Sequence, residues 1–174
     1  MAVFTAYNSA LSATTAIAAG TSYASGAKIA IQLGIPANGY IDLQEWGFSA
    51  DGSAAATPAL LEVAFTATAS TCSTAHTTAT VMPEDMASVN GAATSRLTMG
   101  ATATGYGNGA ITSNTTLSMP DRQYIPPTGQ YVKIFPEGRY PRYGNTSARY
   151  LQLRINTTAT VNVIAYLKFD EHIL

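Results

Sequence analysis

From Thr160 to Asp170 the chain reads TVNVIAYLKFD, and Val161, Val163, Ala165, Leu167 and Phe169 fall on alternate positions. Asn162, Tyr166, Lys168 and Asp170 lie between them, with Ile164 the single apolar residue on the polar side. A period of two belongs to a β-strand with one buried face; an amphipathic helix repeats its apolar residues at three and four instead. Tyr150 to Asn156 carries the same pattern, with Leu151, Leu153 and Ile155 against Gln152, Arg154 and Asn156. A turn at Asn156-Thr157-Thr158 separates the two runs, and the arrangement predicts a hairpin.

The alternation recurs upstream. Ile29, Ile31 and Leu33 interleave with Lys28, Ala30 and Gln32. Ile41 and Leu43 interleave with Tyr40, Asp42 and Gln44, and that run continues to Trp46 and Phe48. Leu61, Val63 and Phe65 alternate with Glu62, Ala64 and Thr66, and Val132 and Ile134 with Tyr131, Lys133 and Phe135. Turn sequences punctuate the runs at 34–39, 50–53, 90–91, 105–109 and 126–129. No window of a dozen residues keeps a helical stripe; only 53–59 and 83–89 could hold a helical turn. Many short strands and little helix predict an all-β, antiparallel β-sandwich over residues 1–174, first as a jelly roll and second as an immunoglobulin-type sandwich. Residues 1–25 are expected to form an N-terminal arm or edge strand. The Ala/Thr/Ser/Gly-rich middle, 66–116, is expected to supply long connections with weak strands such as 73–81, and GYGNG at 105–109 a loop tip.

Composition narrows the function. The formal net charge is −1, no run of five like charges occurs, and no Lys or Arg precedes Lys28. Nucleic-acid binding, which draws its affinity from phosphate neutralisation, is not expected. The first twenty residues lack the basic start and continuous apolar stretch of a signal peptide and are too polar to span a bilayer, so no membrane partner is expected. The single Cys72 excludes an internal disulfide and fits a chain made in a reducing cytoplasm.

Catalytic chemistry finds few candidates. Neither His76 nor His172 lies in a nucleophile motif. Cys72-x-x-x-His76 supplies two zinc-type ligands without a third. The adjacent acids Glu84-Asp85 and Asp170-Glu171 would point to opposite faces of a strand and could not flank one glycosidic bond. Asp42, Glu45 and Glu62 could meet only through the fold. The glycines of 105–109 precede no lysine and no helix, so they do not form a phosphate cradle. We therefore expect no catalytic residue, no metal and no cofactor.

The stretch 136–150, PEGRYPRYGNTSARY, is different. Residues 122–154 hold six basic residues and one acid, a net charge of +5, whereas the rest of the chain carries three basic residues and nine acids, a net charge of −6. Five of the ten tyrosines fall in the same window. Arg and Tyr are the residue types enriched at interface hot spots. Pro136, Gly138, Pro141 and Gly144 predict a loop that displays them. Arg139, Tyr140, Arg142, Tyr143, Arg149 and Tyr150 are therefore the expected protein–protein contact, the other reading being a solvated loop whose tyrosines cover a core edge. Acidic residues of a sister subunit or of another protein would be its target.

The start Met1-Ala2-Val3-Phe4-Thr5-Ala6-Tyr7, the Tyr-x-Pro-Pro-x-Gly-x-Tyr pattern at 124–131 and the final strand 160–171 resemble the small jelly-roll decoration (cement) and head proteins of tailed bacteriophages. The resemblance implies a homotrimer on the outer capsid surface of the virion, made in the host cytoplasm and clamping neighbouring major capsid proteins. Val3, Phe4 and Tyr7 would then belong to an arm that helps it attach. Two other classes stand beside it: a carbohydrate- or receptor-binding head of a phage fibre, with Trp46 or tyrosines lining an open groove, and a glycosidase or esterase on a β-scaffold, with His76 near an acid and a nucleophile.

Overall fold

The computed structural model describes residues 2–10, 19–51, 57–84, 93–112, 115–126 and 128–173. Among these residues it is all-β. The strands in chain order are β1 (Ala2–Tyr7), β2 (Thr21–Tyr23), β3 (Gly26–Ile35), β4 (Tyr40–Ala50), β5 (Ala59–Thr66), β6 (Thr74–Ala75), β7 (Val81–Pro83), β8 (Gly105–Ala110), β9 (Thr116–Ile125), β10 (Gln130–Ile134), β11 (Arg142–Gly144), β12 (Arg149–Thr157) and β13 (Val161–His172). The two windows that could have held a helical turn lie largely outside the described residues.

Two antiparallel sheets pack as a sandwich. The first runs β10-β4-β13-β1-β7, with β11 also on β4 and β2 on β13; the second runs β6-β8-β3-β12-β5-β9. Eight of the strands pair like a ribbon folded double. The first joins the last (β1 with β13), the second the seventh (β3 with β12), the third the sixth (β4 with β10) and the fourth the fifth (β5 with β9). Winding that ribbon adds the ladders β13 to β4 and β12 to β5.

The alternation places the core between the sheets. Phe4, Leu43, Trp46, Phe48, Leu167 and Phe169 face inward from the first sheet, opposite Ile31, Leu33, Leu61, Val63, Leu151 and Leu153 of the second, and all are buried. Each such side chain contributes roughly 1.5–3 kcal/mol when removed from water. Along β4 the buried positions change from odd (Ile41, Leu43) to even (Trp46, Phe48). The ladder to β13 slips there, between Lys168 and Phe169, which pair with Glu45 and Leu43 and leave Gln44 as the extra residue. A bulge of this kind lets both halves of one strand bury their apolar residues.

Three expectations are corrected. The runs 150–156 and 160–170 are strands β12 and β13, but they are not a hairpin: β12 lies in the second sheet and β13 in the first. An alternating run records that one face is buried and is silent about which neighbour shares its sheet. The described part of 1–25 is not an arm. β1 is paired on both sides, by β13 and β7, with Phe4 only 2% exposed. Asn8 then fastens the chain after it, through its side chain to the Tyr23 hydroxyl (2.9 Å), the Val163 carbonyl (3.1 Å) and the Ala165 amide (2.7 Å). GYGNG opens strand β8 and is not a loop tip. The glycines at alternate positions admit the 71–74 segment against one side: a β-carbon at Gly109 would lie 2.0 Å from the Thr71 carbonyl oxygen, and one at Gly105 2.4 Å from that of Thr74. The weak strands expected near 73–81 are the short β6 and β7, which pair with β8 and β1.

Candidate interaction surface

The Arg-Tyr stretch does not form one patch. Arg139 is exposed on a turn, where its amide donates to the Pro136 carbonyl (2.9 Å). Tyr140 is half-buried beside it. Arg142 begins β11 and donates from Nε and a terminal nitrogen to both oxygens of Asp42 (2.7 and 2.8 Å), with its guanidinium 4.2 Å from the Tyr40 ring centre. Tyr143 faces inward, is buried, and meets Phe65 at 5.2 Å between ring centres. Burial raises the pKa of its hydroxyl, which has no use for a partner protein there. Arg149 is half-buried and donates to the Ala148 carbonyl (2.9 Å), while Tyr150 pairs across β12 with Gly34 and Thr66 in the second sheet. The stretch thus serves the outside of one sheet, the core and the other sheet in turn. Neighbouring strand residues point to opposite sides, and β11 and β12 belong to different sheets.

The charge split resolves in the same way. Arg122 and Arg154 both meet Glu62 (3.5 and 3.2 Å), and Arg142 meets Asp42. Three of the six cations in the basic window therefore pair within the molecule to acids outside that window. His172 adds to the Asp42 cluster, its Nε2 lying 3.3 Å from Asp42 and 3.6 Å from Asp170, with its ring stacked on Tyr40 at 4.4 Å. Burial pushes the pKa of the Asp170 carboxyl up, with His172 acting in the other direction.

Of the N-terminal candidates, Phe4 stacks on Phe169 (6.0 Å) in the core, whereas Val3 and Tyr7 are half-buried on the outer side of the first sheet, with Tyr7 6.0 Å from Tyr166. His76 is not a surface residue. It is 1% exposed, Nδ1 lies 3.1 Å from the Thr80 hydroxyl, and its ring leans on Tyr106 at 4.8 Å. Burial pushes its pKa down to about 4. Cys72 is buried and its thiol is pushed up to about 12, the state of an unreactive cysteine. Among the described residues no group of three or more His, Cys, Asp or Glu is placed to hold a metal, and no helix is long and apolar enough to cross a membrane.

Most of the large exposed apolar side chains lie on two other strands. Of the seven large ones exposed among the described residues, Leu117, Met119, Tyr124, Val132 and Ile134 lie on β9 and β10, and Tyr124 and Ile134 are 72% and 67% exposed. β9 ends the second sheet and β10 the first, and the turn that joins them is closed by the Gly129 amide on the Pro126 carbonyl (2.8 Å). The two edges are tied together by Asp121 of β9, whose Oδ2 accepts from the Trp46 indole (3.2 Å) and from the Tyr131 hydroxyl of β10 (3.0 Å). Pro120 and two slips in the β5 ladder interrupt β9. Such interruptions discourage addition of a further strand, so this edge offers side chains for contact more than backbone.

The signal for this edge was present in Val132 and Ile134, whose alternation is regular. It is the opposite face, with Tyr131 on Trp46 (4.9 Å), that turns inward. No family model, no curated protein and no solved structure matches the chain.

Proposed function

We propose that this chain is a non-enzymatic structural protein of a tailed-phage virion, a jelly-roll decoration protein that sits as a homotrimer on the outer capsid and bridges major capsid subunits. The observation that carries the reading is that five of the seven large exposed apolar side chains among the described residues fall on the two edge strands β9 and β10. Single exposed apolar residues are ordinary on a protein surface, whereas a bias towards two successive edge strands suits contact with neighbouring subunits. The ribbon-like pairing of eight strands, first with last through fourth with fifth, supports the jelly-roll assignment. Three linked copies would make modest contacts effective, since each bound copy raises the local concentration of the others.

The rival readings draw less support. Trp46 is fully buried and offers no platform for a sugar ring. Among the described residues the His76 ring meets Thr80, Tyr106 and the Tyr7 backbone, and no carboxylate orients it.

Cryo-electron microscopy of the parent particle tests the proposal. Density for the sandwich is expected on the outer head surface, with β9 and β10 against a neighbour. Particles that lack the chain, or carry it with that edge in open solvent, overturn the reading. In solution, Tyr124→Asp, Val132→Asp and Ile134→Asp together are expected to abolish trimer formation or capsid attachment while leaving the thermal midpoint nearly unchanged.

A further inference from the structure

A hollow of about 160 Å³ lies on the outer side of the second sheet, bounded by Arg154, Glu62, Arg122 and Asn156 with Leu60 and Ile111 as apolar walls. Arg154 is only 6% exposed. Its Nε donates to Gln152 Oε1 (2.8 Å), and Nη1 to Glu62 Oε1 (3.2 Å) and Thr116 Oγ1 (3.4 Å). Its other terminal nitrogen, Nη2, is buried without a hydrogen-bond partner among the described residues. A charged donor left unmatched in the interior is costly. Gln152 is in turn fixed by Gln32, its Nε2 donating to Gln32 Oε1 at 2.6 Å, so the guanidinium is held in place from behind. Arg122 stands at the rim, its side chain 57% exposed and its Nε 3.5 Å from Glu62.

We propose that this hollow is a carboxylate-binding site. Two guanidiniums face one carboxylate, which leaves one positive charge in excess, enough for a monoanionic group. A guanidinium matches a planar carboxylate through paired donors. The apolar walls suit a short alkyl chain behind that group. The volume is below the roughly 300 Å³ at which pockets begin to enclose drug-sized ligands, so the ligand is either a small free carboxylate or the acidic side chain of a docked protein. The site does not depend on the decoration reading, because a free carboxylate is sufficient to test it.

The test is a titration of the full chain followed by two-dimensional amide and arginine side-chain NMR. Butyrate serves as the free probe, an N-acetylated Gly-Glu-Gly amide as the side-chain probe, and butyramide and inorganic phosphate as controls. Saturable shifts centred on Arg154, Asn156 and Arg122 are expected with a carboxylate probe and not with butyramide. Arg122→Gln, a change at an exposed rim residue, is expected to weaken binding about tenfold or more. Binding of butyrate alone assigns a free ligand; binding of the peptide alone or more tightly assigns a partner's side chain. No saturable shift with either, an equal response to butyramide, tighter binding of phosphate, or affinity unchanged in Arg122→Gln overturns the proposal.

Discussion

Tyr166 lies across Gly47 on the outer face of the first sheet, so close that a β-carbon at position 47 would stand 2.2 Å from ring carbon Cε1. The two residues are cross-strand partners of β13 and β4, and the phenol reaches past the glycine to donate to Glu45. Gly47→Ala is expected to displace the ring and cost about 1–3 kcal/mol. In a Tyr166→Ala background the same change should cost much less. A double-mutant cycle by chemical denaturation checks this, and additive costs would show that the ring and the glycine do not depend on one another.

Phe4 is a core residue of a strand paired on both sides. Phe4→Ala is expected to cost about 3–5 kcal/mol in an unfolding titration, the range for removal of a buried aromatic ring. Removal of residues 2 to 8 should lower β-content by circular dichroism, since it deletes a ladder to β13 and another to β7. A detachable arm would leave both measurements unchanged.

Arg142 and Arg139 should separate sharply although both are exposed arginines three residues apart. Arg142→Ala strips Asp42 of two charge-assisted hydrogen bonds and leaves a largely buried carboxylate beside Asp170. Its thermal midpoint should fall, whereas Arg139→Ala should melt like the parent. Equal midpoints for the two variants would mean the Asp42 pair carries no net stabilisation.

His76 makes stability pH-dependent. Its imidazole takes a proton near 6.5 when unfolded and only near 4 when folded, because burial opposes the charge. Below 6.5 the unfolded chain binds the proton first, so stability declines as the pH falls from 6.5 towards 4, by about 3 kcal/mol in all. Denaturation of the parent and of His76→Gln at pH 7.5, 6, 5 and 4.5 isolates the effect. The buried Asp170 and Glu171 carboxyls, whose pKa values are raised by burial, act in the opposite sense but equally in both proteins. Parallel pH profiles would assign the acid sensitivity to other groups.

The strands with regular alternation were legible from residues alone: β3, β4, β5, β12 and β13 stand where Ile31, Leu43, Val63, Leu153 and Leu167 place them. Their partners were not, because period two is the same in a hairpin and in two strands that face one another across a core. β8 escaped notice since its glycines carry no hydrophobic signal, their function being to leave room for residues 71–74. The stretch 136–150 does not stay together as one patch for a related reason. Arg142 and Tyr143 are adjacent in sequence yet serve an ion pair outside and an aromatic contact inside. Arg122 and Arg154 are 32 positions apart, and both meet Glu62. Composition counted these cations but could not see which acids they meet.

The pairing of β1 with β13 sets a condition on biosynthesis. As the chain leaves the ribosome, the segment that begins the first sheet finds its long partner only after everything from Asn8 to Thr160 has been translated. Until then Phe4 lacks Phe169, and the inner faces of β3 and β4 are unsealed at that flank. Closure thus waits for β13 and is built on distant contacts, the class that forms slowly and leaves nascent β-rich chains in need of protection.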